Sequence, residues 1–357
     1  MAACYAGLGA EGPRATCYTD GVWPKGFDPA SLTRDASLNK LVVGAAPGAQ
    51  PAHLGLRGGD LLGRDTVVSL VRQRCGADVD PGAVTDWLVA AVAAEPAGAA
   101  VAVVDEVGDR LASLIATLRD PATGMAATGG RRSYLEVWQS LDLVMLGGGL
   151  MKGVVGERVA ARAAAALARW SDNPPAVRVA PHPECLALLG AARSASGGQA
   201  RVVVLDGGQT SIKRGIASFR GGDLVGVDVL EPLPLASVPG SELSAAVVSA
   251  VTALRERHPD TAPEAIVSVA SYVHDGRPIH DHASVYEQLD PASMRSSLGV
   301  PVRLVHDGSA AWRGTGSGAR SAVIMLGTWL GVGIGPHRQP LRRYSPHFEV
   351  RLDGPDA

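Results

Sequence analysis

Several common signatures are missing from this chain. Its 33 Lys and Arg nearly balance its 35 Asp and Glu, for a formal net charge of -2. That balance gives no electrostatic case for nucleic acid or for an anionic membrane. Lysine is rare, with 4 among the 33 basic residues. The arginine, alanine and valine bias reads as the mark of a GC-rich genome. Cysteine is scarce too: Cys4, Cys17, Cys75 and Cys185 are scattered and form no C-x-x-C pair. This predicts reduced thiols in a cytoplasmic protein. No basic segment followed by an apolar one opens the chain, and no run reaches the roughly 18 uncharged apolar residues of a spanning helix. The alanine-rich stretch 159–170 carries Arg162 and Arg169 and reads as a soluble helix. No Gly-Lys-Ser or Gly-Lys-Thr occurs, which excludes a P-loop. Gly331-Val332-Gly333-Ile334-Gly335 runs into Pro336, which fits poorly with the helix opening of a dinucleotide fingerprint. No helix-turn-helix pattern is evident near the start.

What is present is an ordinary folded composition, 46% hydrophobic and 19% charged, over a length that suits two lobes. Residues 1–60 read as short strands and loops. From 65 to 120 the pattern is helical, with helices over 83–94 and 101–118. Residues 122–132 read as a surface loop. Strand 141–146 leads into three glycines, then a helix over 155–170, a strand over 177–180 and a helix over 184–193. The stretch 194–199 is a flexible linker by composition. Beyond it come strands 202–205, 212–219 and 224–230, and an amphipathic helix over 241–258. Leu243, Ala246, Val247, Ala250, Val251 and Leu254 lie on one face of that helix. Strands 266–270, 302–305 and 323–326 complete an α/β pattern with mixed sheets.

Four short motifs carry chemistry. Asp206-Gly207-Gly208-Gln209-Thr210 follows a buried strand. Its carboxylate suits Mg²⁺ held through water, its glycines suit phosphate oxygens, and Thr210 and Lys213 add a hydroxyl and a positive charge. A tight hairpin turn with nothing bound fits equally well. Leu326-Gly327-Thr328-Trp329-Leu330-Gly331 is a second glycine hairpin, able to point amides and a threonine hydroxyl at phosphate or simply to turn. Gly147-Gly148-Gly149, between strand and helix, offers a flat surface for an aromatic base or serves as a turn. His306-Asp307-Gly308-Ser309-Ala310-Ala311 ends a strand and opens a helix. Asp307 is either a general base for a hydroxyl or a helix cap. His274, His280 and His282, with Asp275 and Asp281, form a solvated loop, with a metal site the lesser alternative.

Taken together these residues resemble the ROK-like sugar kinases of the actin and hexokinase (ASKHA) superfamily, with N-acetylglucosamine kinases next. Asp206-x-Gly208-Gln209-Thr210 is similar to the first phosphate motif and Leu326-Gly327-Thr328 to the second. Gly147 to Gly149 are similar to the adenosine motif. Asp307 with Ala310-Ala311 is similar to the segment of the catalytic base, and Leu188-Leu189-Gly190-Ala191-Ala192-Arg193 to the C-terminal signature. In the family the first phosphate motif opens the chain; here the closing part precedes it. The resemblance therefore implies a circularly permuted two-lobed fold, with ribonuclease-H-like mixed sheets. One lobe is formed by 1–195 with 311–357 and binds adenosine; the other is 196–310 and holds the first phosphate motif and the sugar.

The implied activity is ATP- and Mg²⁺-dependent phosphorylation of a hydroxyl on a sugar, amino sugar or cyclitol, with Asp307 as base and Asp206 holding Mg²⁺. His306 and Asp307 contact the substrate. Gly208, Gln209, Thr210, Lys213, Gly327 and Thr328 cradle phosphate, and Gly147, Gly148 and Gly149 face adenosine. The expected partner is a small sugar-like molecule, in a chain that is a monomer or a homodimer. Three departures stand out. No cysteine cluster follows the second phosphate motif, so no structural zinc is expected. His306 replaces an asparagine, and Trp329 replaces a glycine. The last two keep open a non-catalytic sugar- or nucleotide-binding relative, and an unrelated α/β enzyme is the remaining alternative.

Overall fold

The computed structural model describes residues 27–28, 32, 36–120, 122–123, 132–208, 210–235, 243–279, 286, 289–318, 320–336 and 341–352. The chain builds an α/β structure around two main sheets. Helices come first: α1 (Gly58–Leu62), α2 (Arg64–Cys75), α3 (Val84–Ala94), α4 (Ala99–Arg119) and α5 (Arg132–Ser140). Strand β1 (Leu143–Gly147), helix α6 (Gly153–Trp170), strand β2 (Ala176–Val179) and helix α7 (Leu186–Arg193) follow. Next are β3 (Arg201–Gly207), β4 (Ser211–Arg220), β5 (Asp223–Pro234), α8 (Leu243–Arg257) and β6 (Ala265–Val269). The small hairpin of β7 (Val273–His274) and β8 (Arg277–Pro278) precedes α9 (Pro291–Leu298), β9 (Val302–His306) and α10 (Asp307–Thr315). Strands β10 (Ser321–Leu326), β11 (Leu330–Gly335) and β12 (Tyr344–Leu352) complete the order.

The six-stranded sheet runs β12-β5-β4-β3-β6-β9. Strands β3, β4 and β5 form an antiparallel meander, whereas β6 and β9 run parallel to β3. The reason lies in the connections. Gly221 and Gly222, at φ 59° and 93°, make the tight β4–β5 reversal, while helices provide the crossovers that parallel strands require. Residues Leu243, Val247, Ala250, Val251 and Leu254 of α8 are buried against one face of this sheet, the stripe its sequence periodicity predicts. The four-stranded sheet runs β11-β10-β1-β2. Its centre is the parallel pair β1–β10, although residues 143–147 and 321–326 are far apart in the sequence. Helix α4, buried through most of its circumference, lies in the largest apolar core with β1, β10 and α6.

Helices α7 and α10 lie between the two sheets. Leu188, Leu189 and Ala192 of α7 pack with Val202, Val204 and Ala217 of the six-stranded sheet. Leu186 joins Ala311 and Trp312 of α10 against Met145 and Val323 of the four-stranded sheet. The two helices touch backbone to backbone. A Cβ on Gly190 would overlap the Ala310 carbonyl, and one on Gly314 would overlap the Leu186 carbonyl.

Two expectations change. Residues 344–352 pair with β5, so this part of the C-terminal stretch completes the sheet of 196–310 and not the other one. The segment after α7 is also held in place: Ser196 bonds Glu264 through its amide and hydroxyl, both at 3.0 Å, and Arg303 and Arg342 donate to carbonyls of Ser194, Ala195 and Ser196. Composition alone cannot register such anchors, because they come from residues far along the chain. Most of the expected loop 122–132 lies outside the described residues, as do His280, Asp281 and His282; His274 is exposed in the β7–β8 hairpin. Cys4 and Cys17 also lie outside, and Cys75 and Cys185 are free thiols. Among the described residues no helix is long and apolar enough to cross a membrane, and no group of three or more His, Cys, Asp or Glu gathers as a metal site.

Candidate active site

In a sheet with parallel strands, the carboxyl ends of neighbouring strands collect side chains and helix N-termini at one edge. Here β3, β6 and β9 run in register, with Gly207 opposite Val269 and Val269 opposite His306. That register brings Asp206 and Asp307 to the same edge. The edge borders a cavity of about 450 Å³. Across it stand the ends of β1 and β10 from the other sheet. Gly148, Gly149, Gly208, Thr210, Lys213, His306, Asp307, Gly327 and Thr328 all line this one cavity, although they derive from four separated stretches of sequence. Gln209 lies outside the described residues.

Asp307 is the first residue of α10 and is not its cap. The cap is His306, whose Nδ1 accepts the Ser309 amide at 3.2 Å. Because Nδ1 accepts an N–H there, the ring hydrogen belongs on Nε2. Nε2 lies 3.3 Å from Asp307 Oδ1, a close electrostatic contact without hydrogen-bond geometry. Burial lowers the His306 pKa to about 3, helped by the charge of Arg313, so the ring is neutral at physiological pH. Its face stacks on Tyr272, centroids 4.4 Å apart and planes 21° from parallel. The Gly308 amide donates a hydrogen bond to Asp307 Oδ1 at 2.6 Å. Oδ2 lies on the side of Gly331, which also lines the cavity.

Burial raises the Asp307 carboxyl to about pKa 7, with the charge of Asp206 adding to it; the Gly308 amide and Lys213 pull the other way. The result is a carboxyl that exchanges a proton near neutrality, as a general base requires. Asp206 is buried at the end of β3, cross-strand from Lys213, whose Nζ lies 3.6 Å from Oδ2. Lys213 also donates to the Glu184 carbonyl at 2.6 Å. Among the described residues, Asp206 has no side-chain partner beyond that one ion pair. A hard cation that retains much of its water fits such a donor set beside Asp307.

The glycines divide by role. Gly148 sits at φ 92°, and a Cβ there would strike the Leu326 backbone, so the position demands glycine twice over. Gly149 faces open space, as a flat ring-binding surface needs. Gly147 lies behind the cavity, packed on Leu186 and Met325, and does not line it. The Gly208 amide is turned inward, bonding the carbonyls of Asp206 at 3.1 Å and Ser211 at 3.0 Å. Its contribution is the turn itself, and the Thr210 hydroxyl is what the loop offers a ligand.

Several lining residues had no signal in the sequence. Asn39 pairs with Leu330 through its side chain as a strand would, donating to the carbonyl and accepting the amide, both at 2.8 Å. Tyr272, Pro81, Thr85 and Arg64 come from segments without any motif. Trp329 is half-exposed at the hairpin tip, with its ring over Gly59.

No family model matches the chain, and no curated protein does. Among solved structures it is similar to a ROK hexokinase from Thermus thermophilus, at 20% identity and TM-score 0.30, over 39% of this chain and 47% of the other. It is also similar to a glucokinase from Parabacteroides distasonis, at 17% identity and TM-score 0.28, over 41% and 46% of the two chains. A third match is RuvC from Thermus thermophilus, at 19% identity and TM-score 0.23, over 34% and 73%. The chain thus spans about half the length of the two sugar kinases it matches.

Proposed function

We propose that this chain is an ATP-dependent kinase for a hydroxyl of a sugar, amino sugar or cyclitol, built on a circularly permuted ROK-like architecture. The observation that carries this reading is the convergence of Asp307, Lys213, Thr210, Gly148–Gly149 and Gly327–Thr328 on one cavity, with Asp206 directly behind. Those are the motifs whose sequence order is rearranged, and permutation leaves spatial neighbours intact. The meander β3–β5 followed by α8, β6, α9 and β9 is the succession expected of one lobe.

In this reading the acceptor hydroxyl lies against Asp307 Oδ2. As its oxygen bonds to the terminal phosphorus, its proton passes to that carboxylate and the bond to the ADP oxygen breaks. The Gly308 amide holds Oδ1, with His306 Nε2 beside it, and so orients the carboxylate. Lys213 and Thr210 orient phosphate oxygens from the six-stranded side, and the second hairpin does so from the other. Asp206 would hold Mg²⁺, which supplies charge neutralisation on the phosphates. Gly149 leaves room for the adenine ring.

Asp307→Asn tests the base: turnover of Mg-ATP with hexoses, amino sugars or cyclitols is expected to fall by about 10³-fold or more, with nucleotide affinity held within about twofold. Normal turnover in that variant removes Asp307 from the role. Ligand binding by the wild type, with no ADP formed across the panel, favours the non-catalytic alternative suggested by Trp329 at the cavity mouth.

A further inference from the structure

Among the described residues, one charged side chain lines the cavity without a partner. Arg64 is the first residue of α2, and its amide donates to the Gly327 carbonyl at 3.0 Å. The preceding Gly63 approaches the hairpin so closely that a Cβ there would lie 3.2 Å from the Thr328 carbonyl oxygen. The start of α2 is therefore fastened to the tip of the second glycine hairpin, and the Arg64 side chain lines the cavity beside Gly327 and Thr328.

Among the described residues its guanidinium makes no hydrogen bond or ion pair, and Nε is shielded from solvent with no acceptor. Asp60 and Asp65 flank it in sequence, yet neither pairs with it; Arg72, eight residues on, does find a carboxylate, Asp78. A buried donor of this kind is costly to leave unmet. Lys213, the other cation of the cavity, is already engaged by Asp206 and the Glu184 carbonyl. An anionic ligand entering between the two sheets would thus meet one committed cation and one uncommitted one. The planar fork of arginine matches paired phosphate oxygens.

We propose that Arg64 binds the phosphate chain of the nucleotide from the α2 side, as a clamp facing Lys213. This rests on the nucleotide reading above. The Arg64 side chain thereby adds a phosphate contact to the backbone link between α2 and the hairpin, a positioning role that adenosine alone cannot engage.

The test is calorimetric titration of the full chain with adenosine, Mg-ADP and a non-hydrolysable Mg-ATP analogue, for wild type, Arg64→Ala and Arg64→Lys. The expected result is a loss of about tenfold or more for the analogue in Arg64→Ala, partial recovery in Arg64→Lys and unchanged adenosine affinity. Equal analogue affinity in wild type and Arg64→Ala overturns this role and leaves the nucleotide site standing. An equal loss for adenosine, or a melting temperature lowered alike in both variants, makes Arg64 a packing residue and overturns it too. A wild type that binds none of the three overturns both readings.

Discussion

At the scale of single residues, the site depends on two neighbouring groups whose proton affinities burial moves in opposite senses. His306 is neutral because a buried imidazolium is disfavoured, and Asp307 holds its proton to about pH 7 because a buried carboxylate beside Asp206 is disfavoured. The sign for stability follows. Below about pH 3.8 Asp307 is protonated in the folded and unfolded chain alike. Between there and 7 only the folded chain holds the proton, so stability declines as pH rises through that window. His306 works the other way. The unfolded ring takes a proton near pH 6.5 and the folded one near 3, so its contribution is intact above 6.5 and is lost as pH falls. Asp307→Asn removes the buried charge and is expected to stabilise the metal-free protein at pH 8 by about 1–2 kcal/mol while abolishing turnover. Thermal melts at pH 5 and pH 8 check it: a gain at pH 8 that shrinks at pH 5 is expected, and a loss at both would mean the carboxylate is satisfied by other groups.

At the scale of elements, the geometry of the cavity depends on α7 and α10 lying in contact between the sheets. Asp307 begins α10, so the distance between these helices sets where its carboxyl stands relative to Gly148 and Gly327. Gly190 and Gly314 allow the contact because each lies on the other helix's backbone. Gly190→Ala adds only a methyl group, but against a carbonyl that cannot rotate away. It is expected to destabilise the chain by about 2–3 kcal/mol and to lower kcat more than it lowers nucleotide affinity. Urea denaturation with parallel kinetics measures both. A variant within about 0.5 kcal/mol of wild type would mean that the helices separate freely.

At the scale of the whole molecule, the β1–β10 pair joins distant parts of the chain: the first and the tenth strands lie side by side. If the order is a permutation, a chain opened at Gly198 and joined through its present termini should fold to the same two sheets. Gly198 suits the cut because it sits at φ 82° with open space around its Cα, while Ser194 to Ser196 just before it are held by Arg303, Arg342 and Glu264. The expected product is a cooperatively folding protein with nucleotide affinity within about threefold of the original, its melting temperature a few degrees lower. Circular dichroism melts and calorimetry decide this, and an insoluble or molten product would count against permutation.

Much of the local structure was legible in the residues. The α8 stripe, the Val-Val-Val-Leu run of β3, the Gly221-Gly222 turn and the glycine motifs each express a short-range rule, either a period or a backbone freedom, that needs no distant partner. Asp307 and Asp206 were recognisable as candidates because each follows an apolar strand and precedes a glycine. Other features depended on contacts between remote segments. The Gly208 amide turns inward, Gly147 packs behind the wall, β12 joins the six-stranded sheet, and the Ser/Gly stretch is anchored by two arginines and a glutamate. The motifs and the strands and helices that carry them were legible in the sequence alone. Their assembly around one cavity, the hydrogen on His306 Nε2 and the uncommitted guanidinium of Arg64 were decided by tertiary structure, because burial and pairing are properties of neighbours the chain meets only once folded.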